Sequence, residues 1–224
     1  MSKAGTWSFS RIKAFEQCPK QFYHEKVLKQ YPYVETEAMR YGTEFHKACE
    51  DYIGDGTPID PRFAFIEPTL KSLNNKKGKK IPEQKLGLTA DLEPCGFFDS
   101  NVWFRGIVDL VIIDEDDGVA WIVDYKTGKN SKYADKGQLE LMALTIFAHY
   151  PQVKTINAGL LFVIAKDFIK ATYSVDDKAK LWTKWLAEYG KMEKAFEADV
   201  WNARPSGLCR QYCQVLECPH NGRN

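Results

Sequence analysis

Two apolar strands interrupted by aspartates constrain this chain more than any other feature. Asp109 breaks the run Gly106-Ile107-Val108-Asp109-Leu110-Val111, and Asp124 breaks Ile122-Val123-Asp124-Tyr125-Lys126. Between them, Asp114-Glu115-Asp116-Asp117-Gly118 reads as a solvated turn whose Asp-Gly pair signals a hairpin. If that turn makes the predicted strands 101–114 and 119–126 neighbours, a side-chain period of two puts Asp124 and Lys126 on one face. Asp109 can then join them. Two carboxylates brought together repel unless a cation neutralises them or one keeps a proton. Hard oxygen ligands suit Mg²⁺ or Mn²⁺, and such an ion can activate water and stabilise charge on a phosphoryl group. Asp-x-Lys alone matches many ordinary strand edges; the weight lies on its combination with Asp109 and with His46 upstream.

The periodicity around this hairpin alternates between helix and strand. Phe15, Cys18 and Phe22 fall on one helical face after caps at Ser8 or Ser10, with a break at Cys18-Pro19 because a residue before proline avoids the helical region. A helix over 35–53 aligns Met39, Gly42, His46, Cys49 and Ile53. Strands are predicted over 83–93, 155–165 and 169–175, and helices over 136–150 and 176–196. The stripe of Trp182, Trp185, Leu186, Tyr189 and Phe196 in the last helix reads as core. The pattern predicts an α/β fold, a mixed central sheet flanked by helices, in one domain spanning residues 1–224.

At 224 residues and 44% hydrophobic content the chain can bury a real core, and 27% charged residues with 13% aromatics exclude a disordered composition. The balance of 31 Lys plus Arg against 30 Asp plus Glu argues against a coat protein that holds nucleic acid by bulk charge, while allowing a local basic channel. The first ten residues lack the basic and apolar regions of a secretory signal, and Ala158 to Ala165 is too short to span a bilayer, so a soluble protein of the cytoplasm is expected, without a membrane partner. Should a phage encode it, that is the host cytoplasm. In that reducing setting six cysteines do not read as disulfides. Cys209, Cys213 and Cys218 supply three thiolates within ten residues, with Cys18 or His220 as a fourth ligand. Cys49 and Cys95 read as packing residues.

Gly106-x-x-Asp109, Asp124-Tyr125-Lys126-Thr127-Gly128, Gln138-Leu139-Glu140-Leu141 and the helical Gly42-Thr43-Glu44-Phe45-His46 together resemble the core motifs of RecB-like PD-(D/E)XK nucleases. The resemblance implies a restriction-endonuclease-like core. It assigns His46, Asp109, Asp124 and the backbone carbonyl of Tyr125 as metal ligands. Lys126 would orient or activate the attacking water, and Gln138 would position DNA or the site itself. Where an aromatic residue commonly follows that glutamine by four places, this chain has Met142. Glu83, expected at the head of a strand, is a further carboxylate candidate.

Phe15-Glu16-Gln17-Cys18-Pro19-Lys20-Gln21-Phe22 is similar to the N-terminal element of the iron–sulfur subgroup, which includes CRISPR-associated and AddB-type nucleases. By that likeness Cys18, Cys209, Cys213 and Cys218 hold a 4Fe–4S cluster built from residues 8–30 and 205–220. The middle cysteine is displaced one place from the subgroup's usual spacing, which leaves structural Zn²⁺ as the alternative. The activity implied is a metal-dependent DNA exonuclease working on single strands or DNA ends in recombination, repair or replication. A non-catalytic DNA-binding or assembly subunit of the same fold is the alternative. No phosphate-binding loop of the Gly-Lys-Ser/Thr type is present, so unwinding falls to a helicase or recombination partner on another chain. The Lys76, Lys77, Lys79 and Lys80 run, with Lys129 beyond the Asp-x-Lys strand, offers phosphate contacts from what reads as a flexible loop.

Overall fold

The structure is a computed structural model that describes residues 4–222. The chain divides into two compact units, one of residues 35–183 and one of residues 1–34 with 184–224. Among the described residues no helix is long and apolar enough to cross a membrane.

The larger unit is built on a six-stranded sheet in the order β2-β1-β3-β4-β5-β6. Its strands are β1 (Lys79–Leu88), β2 (Pro94–Cys95), β3 (Phe104–Asp114), β4 (Val119–Lys126), β5 (Thr155–Phe162) and β6 (Asp167–Ser174). β3 and β4 form the antiparallel hairpin expected around Gly118, whose φ of 60° is one that glycine adopts without a Cβ penalty. β4 and β5 are parallel, and the helix α5 (Gly137–His149) lies between them in sequence, as a parallel connection requires. The sheet is therefore mixed. α5 buries Leu139, Leu141, Met142, Ala143, Leu144, Ile146 and Phe147, which is why it lacks a polar stripe.

The helices α3 (Glu37–Asp55) and α4 (Glu67–Asn74) pack Phe45, Cys49, Ile53 and Leu70 with Leu110, Ile112, Val123 and Tyr125 of the sheet. Thr36 caps α3 by accepting the Met39 N–H at 3.2 Å, and Gly56 in the left-handed region ends it. Met39, predicted on the buried face, is exposed; the buried stripe begins a turn and a half later at Phe45.

In the smaller unit Ser8 caps α1 (Phe9–Gln17), accepting the Arg11 N–H at 3.3 Å, and Pro19 opens the short α2 (Pro19–Phe22). Cys18 between them is extended at φ −164°, the conformation that a following proline imposes. The helix α6 (Lys178–Ala198) gives its residues from Lys184 onward to this unit. There Trp185 meets Phe9 and Tyr189 meets Trp7, so these aromatics of the stripe are core as expected, whereas Leu186 is exposed. Trp201 stacks on Tyr23 at 4.7 Å and meets Phe196 edge-on at 4.8 Å.

Candidate active site

The carboxylates that interrupt β3 and β4 converge at one end of the sheet. The last β3–β4 ladder pair is Leu110↔Val123, so Tyr125 extends beyond the pairing. Its N–H donates to Asp109 Oδ2 at 2.7 Å in place of a ladder partner. The N–H and C=O of one strand residue face the same neighbour, so the Tyr125 carbonyl faces the Asp109 side as well. From α3, His46 Nδ1 stands 3.3 Å from the same Asp109 oxygen.

Asp124 lies deeper, at 2% exposure. Gln138, in the first turn of α5, donates from Nε2 to Asp124 Oδ1 at 2.6 Å and accepts from Lys126 Nζ at 2.8 Å. Lys126 Nζ also lies 2.6 Å from Asp124 Oδ2. That contact is a charge pairing outside hydrogen-bond alignment, and the buried Oδ2 has no hydrogen-bond partner. Its charge is met by the Lys126 ammonium, which offsets part of the cost of burying this carboxylate.

Glu83 is the component the sequence placed wrongly. It stands inside β1, not at its head, because pairing with β3 begins four residues earlier at Lys79↔Ile113. The register runs Pro82↔Leu110 and Gln84↔Val108, which sets Glu83 opposite Asp109 with its own ladder pair missing. Its φ is +47°, a left-handed conformation that costs a non-glycine residue about 1–2 kcal/mol. Ligand atoms of His46, Glu83 and Asp109 lie within 4.8 Å of one another. Strained backbone held in place at such a convergence is a recurrent mark of functional sites.

The electrostatics report an excess of negative charge. Burial raises the Asp124 pKa to about 6, the Asp109 charge adds to the rise, and Lys126 and His46 oppose it. Glu83 is raised by its desolvation and by the charges of Asp109 and Glu50. For His46, burial disfavours the imidazolium, but the hydrogen bond and charge of Asp109 with the charges of Asp124 and Glu83 outweigh it, so its pKa is raised. Three carboxylates, one lysine and one imidazole thus leave room for a divalent cation. His46, Glu83, Asp109, Asp124 and the Tyr125 carbonyl are a hard donor set that fits Mg²⁺ or Mn²⁺.

Other predicted positions divide. The lysine run is not a loose loop: Lys79 and Lys80 are in β1, and Lys76 Nζ lies 4.5 Å from the centre of the Trp121 ring. Lys77 lies 3.1 Å from Asp114, 3.1 Å from Asp117 and 3.6 Å from Asp116, which spend its charge on the hairpin turn. The run lies roughly 14 Å along the strand from Asp109, four residues at 3.4 Å each. Lys129 is exposed beyond β4. Met142 is buried and, as a thioether, offers no aromatic ring there.

In the smaller unit Cys18, Cys209, Cys213, Cys218 and His220 line one solvent-open pocket. None of the cysteines is in a disulfide. The Arg204 N–H donates to Cys18 Sγ at 3.4 Å, and the Ser206 N–H donates to Cys209 Sγ at 3.3 Å. Burial raises the Cys213 thiol, and the charges of Cys18, Cys209 and Cys218 raise it further. Cys49 lies in the core of the larger unit, its pKa pushed up to about 12 by burial, an inert packing residue as expected.

The family profile of the PD-(D/E)XK nuclease superfamily matches residues 6–70 and 64–218. The chain belongs to that superfamily. It is therefore a nuclease of the phosphodiester-hydrolysing class whose members use divalent metals, and its sheet is the restriction-endonuclease-like one. A crystal structure of a provisionally named exonuclease from Eubacterium rectale is similar, with a TM-score of 0.57 and 11% identity over 97% of this chain and 91% of that one. The crystal structure of SSO0001 aligns at a TM-score of 0.44 and 13% identity over 97% and 87%. No curated protein matches the chain in sequence.

Proposed function

We propose that this nuclease is a divalent-metal-dependent DNA exonuclease that degrades single strands or DNA ends in recombination, repair or replication. The observation that carries metal dependence is the convergence of ligand atoms of His46, Glu83 and Asp109 to within 4.8 Å, with the buried Asp124 carboxylate adding its charge to the same site. Mg²⁺ or Mn²⁺ bound by these groups would stabilise charge on the scissile phosphate and lower the pKa of water. Lys126 is positioned to orient that water: its Nζ is anchored by Asp124 on one side and Gln138 on the other. Gln138 holds both partners of that pair and is a positioning residue. The name given to the Eubacterium rectale protein supports the exonuclease mode.

The same reading gives the smaller unit a 4Fe–4S cluster on Cys18, Cys209, Cys213 and Cys218, with structural Zn²⁺ as the competing occupant. A single tetrahedral zinc with Zn–S bonds of about 2.3 Å needs sulfurs about 3.8 Å apart. Metal and sulfide analysis of the purified protein separates the two occupants.

Digestion of 5′- and 3′-labelled single- and double-stranded DNA with Mg²⁺ or Mn²⁺ tests the activity. Progressive mononucleotide release from one end of single strands, abolished by EDTA, is the expected result. Cleavage of closed circular single strands would replace the exonuclease reading with an endonuclease one. Inactivity with every metal would favour the non-catalytic assembly role.

A further inference from the structure

The segment joining the two halves of the carboxylate site carries a pattern that the chemistry leaves unused. Lys126 ends β4, Gln138 is in the first turn of α5, and their side chains meet, so residues 127–137 leave the site and return to it. Polar groups fix the path. The Asn130 side chain accepts the Lys132 N–H at 2.8 Å, the Ala134 N–H donates to the Ser131 carbonyl at 2.9 Å, and Asp135 Oδ1 accepts the Gly137 N–H at 2.8 Å. The turn from Ser131 to Ala134 therefore has Lys132 and Tyr133 at its two corners. Tyr133 is 82% exposed, with Lys132 Nζ 5.7 Å from its ring centre.

A matching pair stands on β6. Phe168 is 42% exposed, with Lys170 Nζ 5.2 Å from its ring centre. One side of the ring rests on Gly159, where a Cβ would come within 2.1 Å of it. The segment is tied to this strand: the Ser131 hydroxyl donates to Asp167, and Lys136 Nζ donates to the Lys170 carbonyl at 3.0 Å. Phe168 pairs with Leu161, and Leu161 pairs with Tyr125, so Phe168 is level with the residue after Asp124. Two strand spacings separate them, roughly 10 Å.

Each solvent-facing ring is accompanied by a cation. Rings that offer a face, lysines that offer charge, and a position beside a phosphodiester-cleaving site together match an unpaired, negatively charged strand. A duplex would present phosphates and hide its base faces. We propose that Tyr133 and Phe168 form a stacking platform for unpaired bases of single-stranded DNA, with Lys129, Lys132 and Lys170 supplying charge to its backbone. This platform rests on the nuclease reading and specifies the strand form that the site receives.

The test measures binding of fluorescein-labelled dT20 to the full chain in Ca²⁺, a hard cation in place of Mg²⁺. Tyr133→Ala and Phe168→Leu should each weaken binding by about 5- to 100-fold, with Tyr133→Trp restoring it, because base–aromatic stacking is lost and regained. Binding of a 20-base-pair duplex should not change. Equal dT20 affinity in wild type and Tyr133→Ala, or no wild-type binding of dT20, overturns the proposal; Tyr133 is exposed enough for that variant to decide the matter even if Phe168→Leu misfolds. Hydrolysis of thymidine 5′-p-nitrophenyl phosphate by the wild type with Mn²⁺ tests the underlying reading separately. Tyr133-dependent binding without that hydrolysis would sustain the platform and count against the exonuclease reading of the site, and hydrolysis with Tyr133-independent binding would do the reverse.

Discussion

Asp124 brings more negative charge into the sheet than its neighbours neutralise. Its pKa is raised to about 6 by burial and by Asp109, against an unfolded value of about 3.9. Between those values the folded protein binds more protons than the unfolded chain, so metal-free stability falls as pH rises through the window and stays reduced above it. Asp124→Asn should therefore stabilise the metal-free protein by about 1–2 kcal/mol at pH 8, with the gain vanishing near pH 4, by urea unfolding in EDTA. It should also lower cleavage by about 10³-fold or more, since several kcal/mol of transition-state stabilisation depend on the metal. Lys126→Ala separates the roles. Removing a positive charge from beside the carboxylates should hold or raise Mn²⁺ affinity by calorimetry while cleavage falls by at least about 10²-fold. A parallel loss of both would show that Lys126 maintains the ligand geometry itself. That Asp124, Lys126 and Asp109 would lie together was legible in the sequence, because the Asp-Gly turn pairs their strands and the strand period aligns them. Tyr133 was not legible, because a tyrosine in a polar loop acquires meaning only when the turn exposes it beside the site.

At the scale of elements, hydrophobic period gave nearly every long helix and strand to within a few residues, including the hairpin and the helix break at Cys18-Pro19. β1 is the instructive exception. Its start was hidden among lysines, which are poor strand formers, and pairing with β3 overrode that preference. Trp121 and the acidic turn then accommodate Lys76 and Lys77. A left-handed φ at a glutamate has no sequence signal, so the way Glu83 turns toward Asp109 could come only from the structure. Two substitutions separate its strain from its charge. Glu83→Ala and Glu83→Gly both remove a carboxylate and should both weaken Mn²⁺ binding. Only glycine relieves the left-handed backbone, so Glu83→Gly should be the more stable by about 1 kcal/mol in chemical denaturation. Equal stability would mean that β1 relaxes at this position and that the conformation is not enforced by its surroundings.

At the scale of the whole molecule, the two ends of the chain supply one compact unit, and the segments that carry its cysteines are about 190 residues apart. Period could not predict how that unit closes, because the described residues after Ala198 form one short 3₁₀ turn, Gly207–Arg210, and little other regular structure. The buried residues of the terminal segment are few, with Cys213, Val215 and Cys218 forming a small cluster against Tyr31 and Ala203. Under the proposed ligation a metal would order this segment, since the site does not exist in the unfolded chain and metal binding then contributes folding free energy. Cys213→Ser should therefore empty the site and raise hydrogen exchange across residues 199–222. Strands β3 to β5, whose ladders and buried apolar residues lie within the other unit, should keep their protection. Iron and sulfide in equal amounts with a brown chromophore are expected in anaerobically purified protein. About one equivalent of zinc in colourless protein would assign the same closing role to zinc. Unchanged exchange in metal-free Cys213→Ser would show instead that packing around Val215 and the aromatic core closes this unit unaided.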